Sequence, residues 1–276
     1  MNATVSPEAY QGFQDFLEES CGIVLGDNRH YLVSSRLHRV VQEHKLGSLD
    51  ELLQQLLRGP TSGLREVVID AMTTNETFWF RDGYPFDVLK NRIFPELSKS
   101  GRGPIKIWSA ACSTGQEAYS ISIVAQEWRT TNPGALPGDV QIVGTDISPS
   151  VLRQAKSGCY DESAVRRGVS QERQQRHFRK VGEEWEVRPE IKARATFREG
   201  NLLSNYALLG RFDIIFCRNV LIYFSSDLKR DIIGRMSKIL NPGCYLFLGS
   251  SESLSAPSDD FGIVRCNPGV VYRLRR

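Results

Sequence analysis

The chain has 276 residues, long enough for one full α/β domain and a smaller companion. Hydrophobic residues make up 41% and charged residues 24%, and with no repeat or low-complexity tract this excludes a disordered chain or a solenoid. A net charge of +3 excludes the strong basic excess of a nucleic-acid-binding domain. No segment reaches the roughly 20 apolar residues of a membrane span, and the start MNATVSPEAY is neither basic nor apolar, so a soluble cytoplasmic protein without membrane insertion is expected.

The first seventy or so residues read as helices. Ser6 can cap a helix that starts at Pro7 and carries Phe13, Phe16 and Leu17 on one face. A second helix is expected from about Arg29 to Lys45, and a third from Ser48, stopped by Gly59-Pro60. Leu64 to Met72 forms a fourth. The connector TTNETFWFRDGYPFDVL leads into a helix around Phe86 to Leu97. From Ile105 strands alternate with helices: IKIWSA, a helix from about Glu117, VQIVGTD, a helix after Pro149, ATFREG, FDIIFC, a helix after Ser226, and CYLFLG. That alternation predicts a parallel, doubly wound α/β sheet. The end, FGIVRCNPGVVYRL, has no helix between its β-rich runs and predicts an antiparallel hairpin.

Ligands of such sheets sit beyond the carboxyl ends of the strands, where strand order reverses. Four strand ends carry polar signals. SAACSTGQE offers the small residues Ala110, Ala111, Ser113 and Gly115, which let backbone pass close to a ligand. Asp146 ends VQIVGTD, where a carboxylate can accept from both hydroxyls of a ribose; Asn201-Leu202 follows ATFREG, and Arg218-Asn219 follows FDIIFC. Singly these could be turn residues and helix caps. Their order, completed by LNPGCYLFL before the last hairpin, is similar to the layout of class I S-adenosylmethionine-dependent methyltransferases. The turn keeps only Gly115, with Ala111 and Ser113 where that class usually has glycine. SAACSTG is not the G-x-G-x-x-G of a dinucleotide dehydrogenase.

Along almost its whole length the sequence resembles the CheR-type chemoreceptor glutamate methyltransferases, in the strings TTNETFWFR, ACSTGQEAYS, FCRNVLIYF and GSSESL and in the helical start. The resemblance implies a helical docking domain over 1–72, a connector over 73–84 that contributes to the active site, and a catalytic domain over 85–276 with an inserted β-subdomain at about 172–192. It implies S-adenosylmethionine as donor, with Asn75, Thr77, Arg81, Glu117, Asp146, Asn201, Leu202, Arg218 and Asn219 lining its site and Arg81 and Tyr223 nearest the transferred methyl. The implied acceptor is a glutamate in the cytoplasmic signalling helices of a chemoreceptor, and the implied enzyme acts as a monomer. Without the resemblance, Arg81 reads as the partner of a neighbouring acid and Tyr223 as a packing residue.

Other chemistry finds little support. The four histidines include His30, His38 and His44 within the second helix, so no Ser-His-Asp or Cys-His set is expected. The six cysteines lack the short paired spacings of metal or redox sites, so no metal is expected and the thiols read as packing groups. Arg29, Arg36 and Arg39 fall within an arc of roughly 80° on the second helix. Such a stripe is either a solvated face or a docking face for an acidic partner; the resemblance favours docking. HFRKVGEEWEVR reads as an inserted hairpin turning at Gly182, shorter and poorer in glycine than in family members that capture a receptor's carboxyl-terminal peptide. Recognition is therefore expected mainly through the helical domain. Two other functions fit more loosely: a small-molecule carboxyl methyltransferase, and a non-catalytic sensor of S-adenosylmethionine or S-adenosylhomocysteine.

Overall fold

A computed structural model describes residues 5–59, 63–99, 101, 103–136, 138–254 and 260–275. The chain divides into two compact units, Met1–Thr74 with Tyr223–Leu228, and Asn75–Ile222 with Lys229–Arg276.

The first unit holds α1 (Pro7–Cys21), α2 (His30–Glu43), α3 (Leu49–Leu57) and α4 (Leu64–Met72). Ser6 caps α1 by accepting the Ala9 N–H at 3.2 Å, and Ser48 caps α3 by accepting that of Glu51 at 3.1 Å. The second helix starts one residue later than expected, because Arg29 has φ −106° and makes no side-chain cap bond. Of the expected Gly59-Pro60 stop, Pro60 lies outside the described residues. Helices this short are marginal alone. Phe13, Leu17, Val33, Leu37, Leu52, Leu53, Leu56 and Val68 are fully buried, each burial contributing roughly 1.5–3 kcal/mol.

In the second unit the connector runs into α5 (Tyr84–Val88), a π-helical turn (Leu89–Ile93) and α6 (Phe94–Ser98). Then follow β1 (Ile105–Ala110), α7 (Gln116–Thr131), β2 (Val140–Asp146) and α8 (Pro149–Ser157). An inserted segment carries β3 (Cys159–Asp161), α9 (Glu162–Arg166), α10 (Gln171–His177), β4 (Phe178–Val181), β5 (Glu184–Val187) and α11 (Pro189–Lys192). The chain closes with β6 (Ala195–Glu199), β7 (Phe212–Cys217), α12 (Ser226–Ile239), β8 (Leu240–Leu248), β9 (Phe261–Arg265) and β10 (Val270–Leu274).

Seven strands form one sheet in the order β6-β2-β1-β7-β8-β10-β9. The first five are parallel and β10 is antiparallel to both β8 and β9, so the terminal hairpin forms as expected. The chain builds outward from β1 to β2 and β6 on one side, then returns to β7 and β8 on the other. This puts the reversal of strand order, and hence the ligand edge, beside the carboxyl ends of β1 and β7. Ile107, Ile214, Phe216 and Phe247 are fully buried in the sheet's core, with the Phe216 and Phe247 rings stacked at 4.3 Å.

The insert is a three-stranded antiparallel sheet, order β3-β5-β4. Val181 pairs with Glu184, so the β4–β5 turn is Gly182-Glu183, with Gly182 at φ +60°. The third strand, β3, goes beyond the expected hairpin; it is held by cross-strand pairing such as Tyr160 opposite Trp185. Among the described residues no helix is long and apolar enough to cross a membrane.

Candidate functional site

The turn after β1 forms the centre of the ligand edge. Ala111 has φ +57°, Ser113 +50° and Gly115 +92°, so left-handed backbone recurs where a glycine-rich turn would have it. For alanine and serine such backbone costs of order 1–3 kcal/mol unless the surroundings hold it. Here they do. The Ser113 N–H donates to Asp146 Oδ2 at 2.8 Å, the Cys112 N–H to the Thr145 carbonyl at 2.9 Å, and the Ser113 hydroxyl to the Asn75 carbonyl at 2.8 Å. Gly115 cannot be replaced as Ala111 and Ser113 replace glycine, since a Cβ there would stand 3.0 Å from Ala155 Cβ and 3.2 Å from the Phe197 ring.

Asp146 ends β2 at 6% exposure, its Oδ1 accepting the Ser148 N–H at 3.0 Å. The carboxylate therefore fixes the turns on both sides of itself. Asn201 begins the turn after β6, its Oδ1 accepting the Leu203 N–H at 2.9 Å, and Leu202 beside it is 8% exposed. Thr77 is half-buried in the connector.

Arg218 follows β7 with its side chain 1% exposed. Nη1 donates to Glu117 Oε2 at 2.9 Å; Nη2 donates to Asp82 Oδ2 at 2.7 Å and to the Arg81 carbonyl at 2.9 Å. Glu117, on the first turn of α7, also accepts the Ser109 hydroxyl at 2.7 Å. Arg218 thus ties β7 to α7 and to the connector, and its guanidinium is committed to protein groups. Its Nε is buried with no hydrogen-bond partner among the described residues. Asn219 takes φ +59°.

In the connector, Phe80 has φ +50° and Asp82 φ +68°. The Phe80 N–H donates to the Ser120 hydroxyl at 3.1 Å, which anchors the chain one residue before Arg81. Arg81 Nη1 donates to the Glu76 carbonyl at 3.1 Å, and its guanidinium stands 5.3 Å from the Phe78 ring centre. It makes no carboxylate ion pair among the described residues. The neighbouring acids are taken: Asp82 by Arg218, and Glu76 by Arg167 at 2.6 Å.

Cys112 and Cys217 lie near these groups. Burial pushes both thiols well up, with the charges of Asp146 and Glu117 adding to the effect on Cys112 and those of Glu252 and Glu117 on Cys217. They are protonated packing groups, unsuited to act as nucleophiles.

The structure brings Asn75, Arg81, Glu117, Asp146, Arg218 and Asn219 to one edge of the sheet unit through these bonds and strand ends. Tyr223 is grouped with the helical unit, where its carbonyl accepts the Val24 N–H at 2.9 Å. The basic stripe is changed. Arg36 is half-buried and caps the end of α4, donating to the Met72 carbonyl, to the Thr73 carbonyl at 3.2 Å and to the Thr74 hydroxyl at 2.8 Å. Cations suit the carbonyl end of a helix. Arg29 is exposed, and Arg39 is 85% exposed in a pair with Glu43 at 2.7 Å. Sequence reasoning missed Glu252, whose carboxylate accepts the N–H groups of Asn219 and Gly249, each at 2.7 Å. Its only signal was the GSSESL string.

The residues fit S-adenosylmethionine. A turn of small residues in left-handed backbone leaves space for a ligand, and Asp146 at the end of β2 is a carboxylate of the kind that accepts from a ribose diol. Sheet order, terminal hairpin and this edge together define a class I S-adenosylmethionine-dependent methyltransferase. Residues 8–73 match the all-alpha domain of CheR methyltransferases and residues 75–270 their SAM binding domain, so the chain belongs to the CheR methyltransferase family. It is 51% identical to the chemotaxis protein methyltransferase Cher2 of Pseudomonas putida, over 96% of this chain and 98% of that one. It is 53% identical to chemotaxis protein methyltransferase 1 of Pseudomonas aeruginosa, over 96% and 97% of the two chains. Identity to a chemotaxis protein methyltransferase of Vibrio anguillarum is 51%, over 99% and 98%.

Proposed function

We propose that the methyl acceptor is the side-chain carboxylate of glutamates in the cytoplasmic signalling helices of chemoreceptors, converted to glutamate 5-O-methyl esters. The protein is a chemotaxis methyltransferase, in keeping with relatives 51% and 53% identical to it over 96% of its length. The observation that carries the acceptor assignment is Arg81, a guanidinium at the ligand edge whose neighbouring carboxylates, Asp82 and Glu76, are bound by other arginines. An incoming carboxylate is its natural partner.

S-adenosylmethionine supplies an electrophilic methyl group on a sulfonium and leaves as S-adenosylhomocysteine. Asp146 holds the ribose, and Asn75, Thr77, Glu117, Asn201, Leu202, Arg218 and Asn219 form the surrounding wall. A glutamate carboxylate is ionised at pH 7, so the protein needs no general base. Its task is alignment, which in favourable cases lowers a barrier by roughly 7–11 kcal/mol. Arg81 serves this by an off-axis hydrogen bond that leaves the attacking oxygen nucleophilic, and Tyr223 is the second residue assigned to the acceptor by resemblance.

Docking falls to the exposed part of α2. Arg29 and Arg39 remain available there, beside Tyr31 at 86% exposure, while Arg36 holds α4. The Arg39–Glu43 pair is solvent-exposed and weak, so an acidic receptor helix displaces Glu43 readily. The enzyme works in the cytoplasm as a monomer, binds no nucleic acid, does not insert into the membrane, and with its two-residue β4–β5 turn does not depend on a receptor tail peptide.

The test is incubation with labelled S-adenosylmethionine and a receptor signalling domain, followed by base treatment. Volatile methanol released from the protein fraction is expected. Label on a small molecule, or binding without transfer, refutes the assignment. Reversing the charges of Arg29 and Arg39 raises KM for the receptor and flattens its salt dependence. Deleting the receptor's carboxyl-terminal tail leaves the rate nearly unchanged.

A further inference from the structure

Glu252 sits in the loop after β8, and nothing in the methyl-transfer chemistry calls for it. Its carboxylate nonetheless gathers three backbone donors. Oε2 accepts the N–H of Asn219 at 2.7 Å and of Gly249 at 2.7 Å, and Oε1 accepts the N–H of Ile222 at 3.2 Å. Bonds to an ionised acceptor are about twice as strong as neutral ones, so this group is a rigid three-way tie between the end of β8 and the segment that follows β7.

Two further features make the tie specific. Asn219 is held at φ +59°, left-handed backbone that asparagine tolerates better than other side chains but that needs a fixed partner for its N–H when the turn is to keep one shape. Gly249 provides the space, because a Cβ there would lie 2.6 Å from Glu252 Oε2, 2.9 Å from Asn219 Nδ2 and 3.0 Å from Asn219 N. The same carboxylate lines, with Asp82, Tyr84 and Tyr272, a cavity of about 360 Å³. It therefore borders the ligand edge one residue along the chain from Arg81, while bracing the stretch that ends at Ile222, immediately before Tyr223.

We propose that Glu252 is a positioning residue of the transferase: it holds the Arg218–Ile222 segment so that Asn219 keeps the backbone conformation in which it meets S-adenosylmethionine. The inference rests on the assignment of Asn219 to the donor site. Its test reads nucleoside binding directly, so it succeeds or fails independently of which carboxylate is methylated.

The experiment compares the unaltered full-length protein with Glu252→Gln and Gly249→Ala. Glu252→Gln keeps the size but turns an N–H2 group toward backbone donors; Gly249→Ala keeps the charge and displaces the carboxylate. Calorimetric titration with S-adenosylhomocysteine, on protein shown to be folded by its thermal transition, is expected to give affinities at least about tenfold weaker for both. Amide hydrogen exchange is expected to be slow at Asn219, Ile222 and Gly249 in the unaltered protein and faster at all three in the variants. A purely structural residue would lower the melting temperature and leave the affinity of the folded fraction unchanged, and that result overturns the proposal. Should neither variant fold, Glu252→Asp, which keeps the charge and draws it back by one methylene, takes their place in the same titration: weaker nucleoside affinity of the folded protein supports the proposal, and unchanged affinity overturns it.

Discussion

The turns after β1 and after β7 meet the same demand with different materials. Each puts an L-residue in left-handed backbone, Ser113 at φ +50° and Asn219 at φ +59°, and each binds that residue's N–H to a carboxylate from a neighbouring strand end. At the first turn the acid is Asp146, the last residue of β2, at 2.8 Å; at the second it is Glu252, in the loop beyond β8, at 2.7 Å. A left-handed residue costs of order 1–3 kcal/mol. A hydrogen bond to a charged acceptor returns roughly 1.5–3 kcal/mol. The balance explains how this edge keeps the shape of a glycine-rich turn with few glycines: its acids hold the backbone in place.

Arg218 couples the two turns, since it precedes Asn219 and reaches Glu117 beyond the first turn. Arg218→Ala should break both at once: it strands Glu117 and Asp82 as partly buried charges, and loss of one partner of such a pair costs about 3–5 kcal/mol. Urea unfolding measures it; a loss below about 1 kcal/mol would mean that the turns hold themselves. Asp146→Ala should strike the first turn, with the Ser148 turn beside it, and spare the turn after β7, weakening S-adenosylhomocysteine binding by about 1.5–3 kcal/mol in a calorimetric titration. Near-unaltered affinity would place the ribose elsewhere. Arg81→Ala and Tyr223→Phe should disturb neither turn, lowering kcat roughly ten- to hundredfold with a smaller change in nucleoside affinity. Equal losses in the two quantities would make these residues structural.

The difference between the turns also marks what could be read from the sequence. Strand ends were legible because hydrophobic runs stop abruptly there: VQIVGTD is β2 and stops at Asp146, and FDIIFC is β7 and stops before Arg218. The helix caps at Ser6 and Ser48 were legible because capping acts over three residues. Glu252 was not, because its partners Asn219 and Ile222 are about thirty positions away and no local pattern encodes a tertiary bond. Strand β3 was missed for the same reason, as three residues have no periodicity of their own and depend on β5. Arg36 misled in the opposite sense: helical periodicity places it correctly on the face of Arg29 and Arg39, yet the carbonyls at the end of α4 claim it.

The smallest expected effect tests the balance at the first turn itself. Ala111 has φ +57°, and relief of its left-handed strain by Ala111→Gly should return about 1–2 kcal/mol. Added freedom in the unfolded chain takes back about 0.4–1 kcal/mol. The net expectation is a slight rise in stability, from about zero to 1.5 kcal/mol, visible as an unchanged or higher urea midpoint. Gly115→Ala is its counterpart in the same turn. There φ is +92° and the new Cβ would lie 3.0 Å from that of Ala155, so strain and contact act together and stability should fall. If Ala111→Gly instead costs more than about 1 kcal/mol, alanine at that position packs rather than merely tolerating its backbone, and the carboxylate at Asp146 is not what holds the turn in shape.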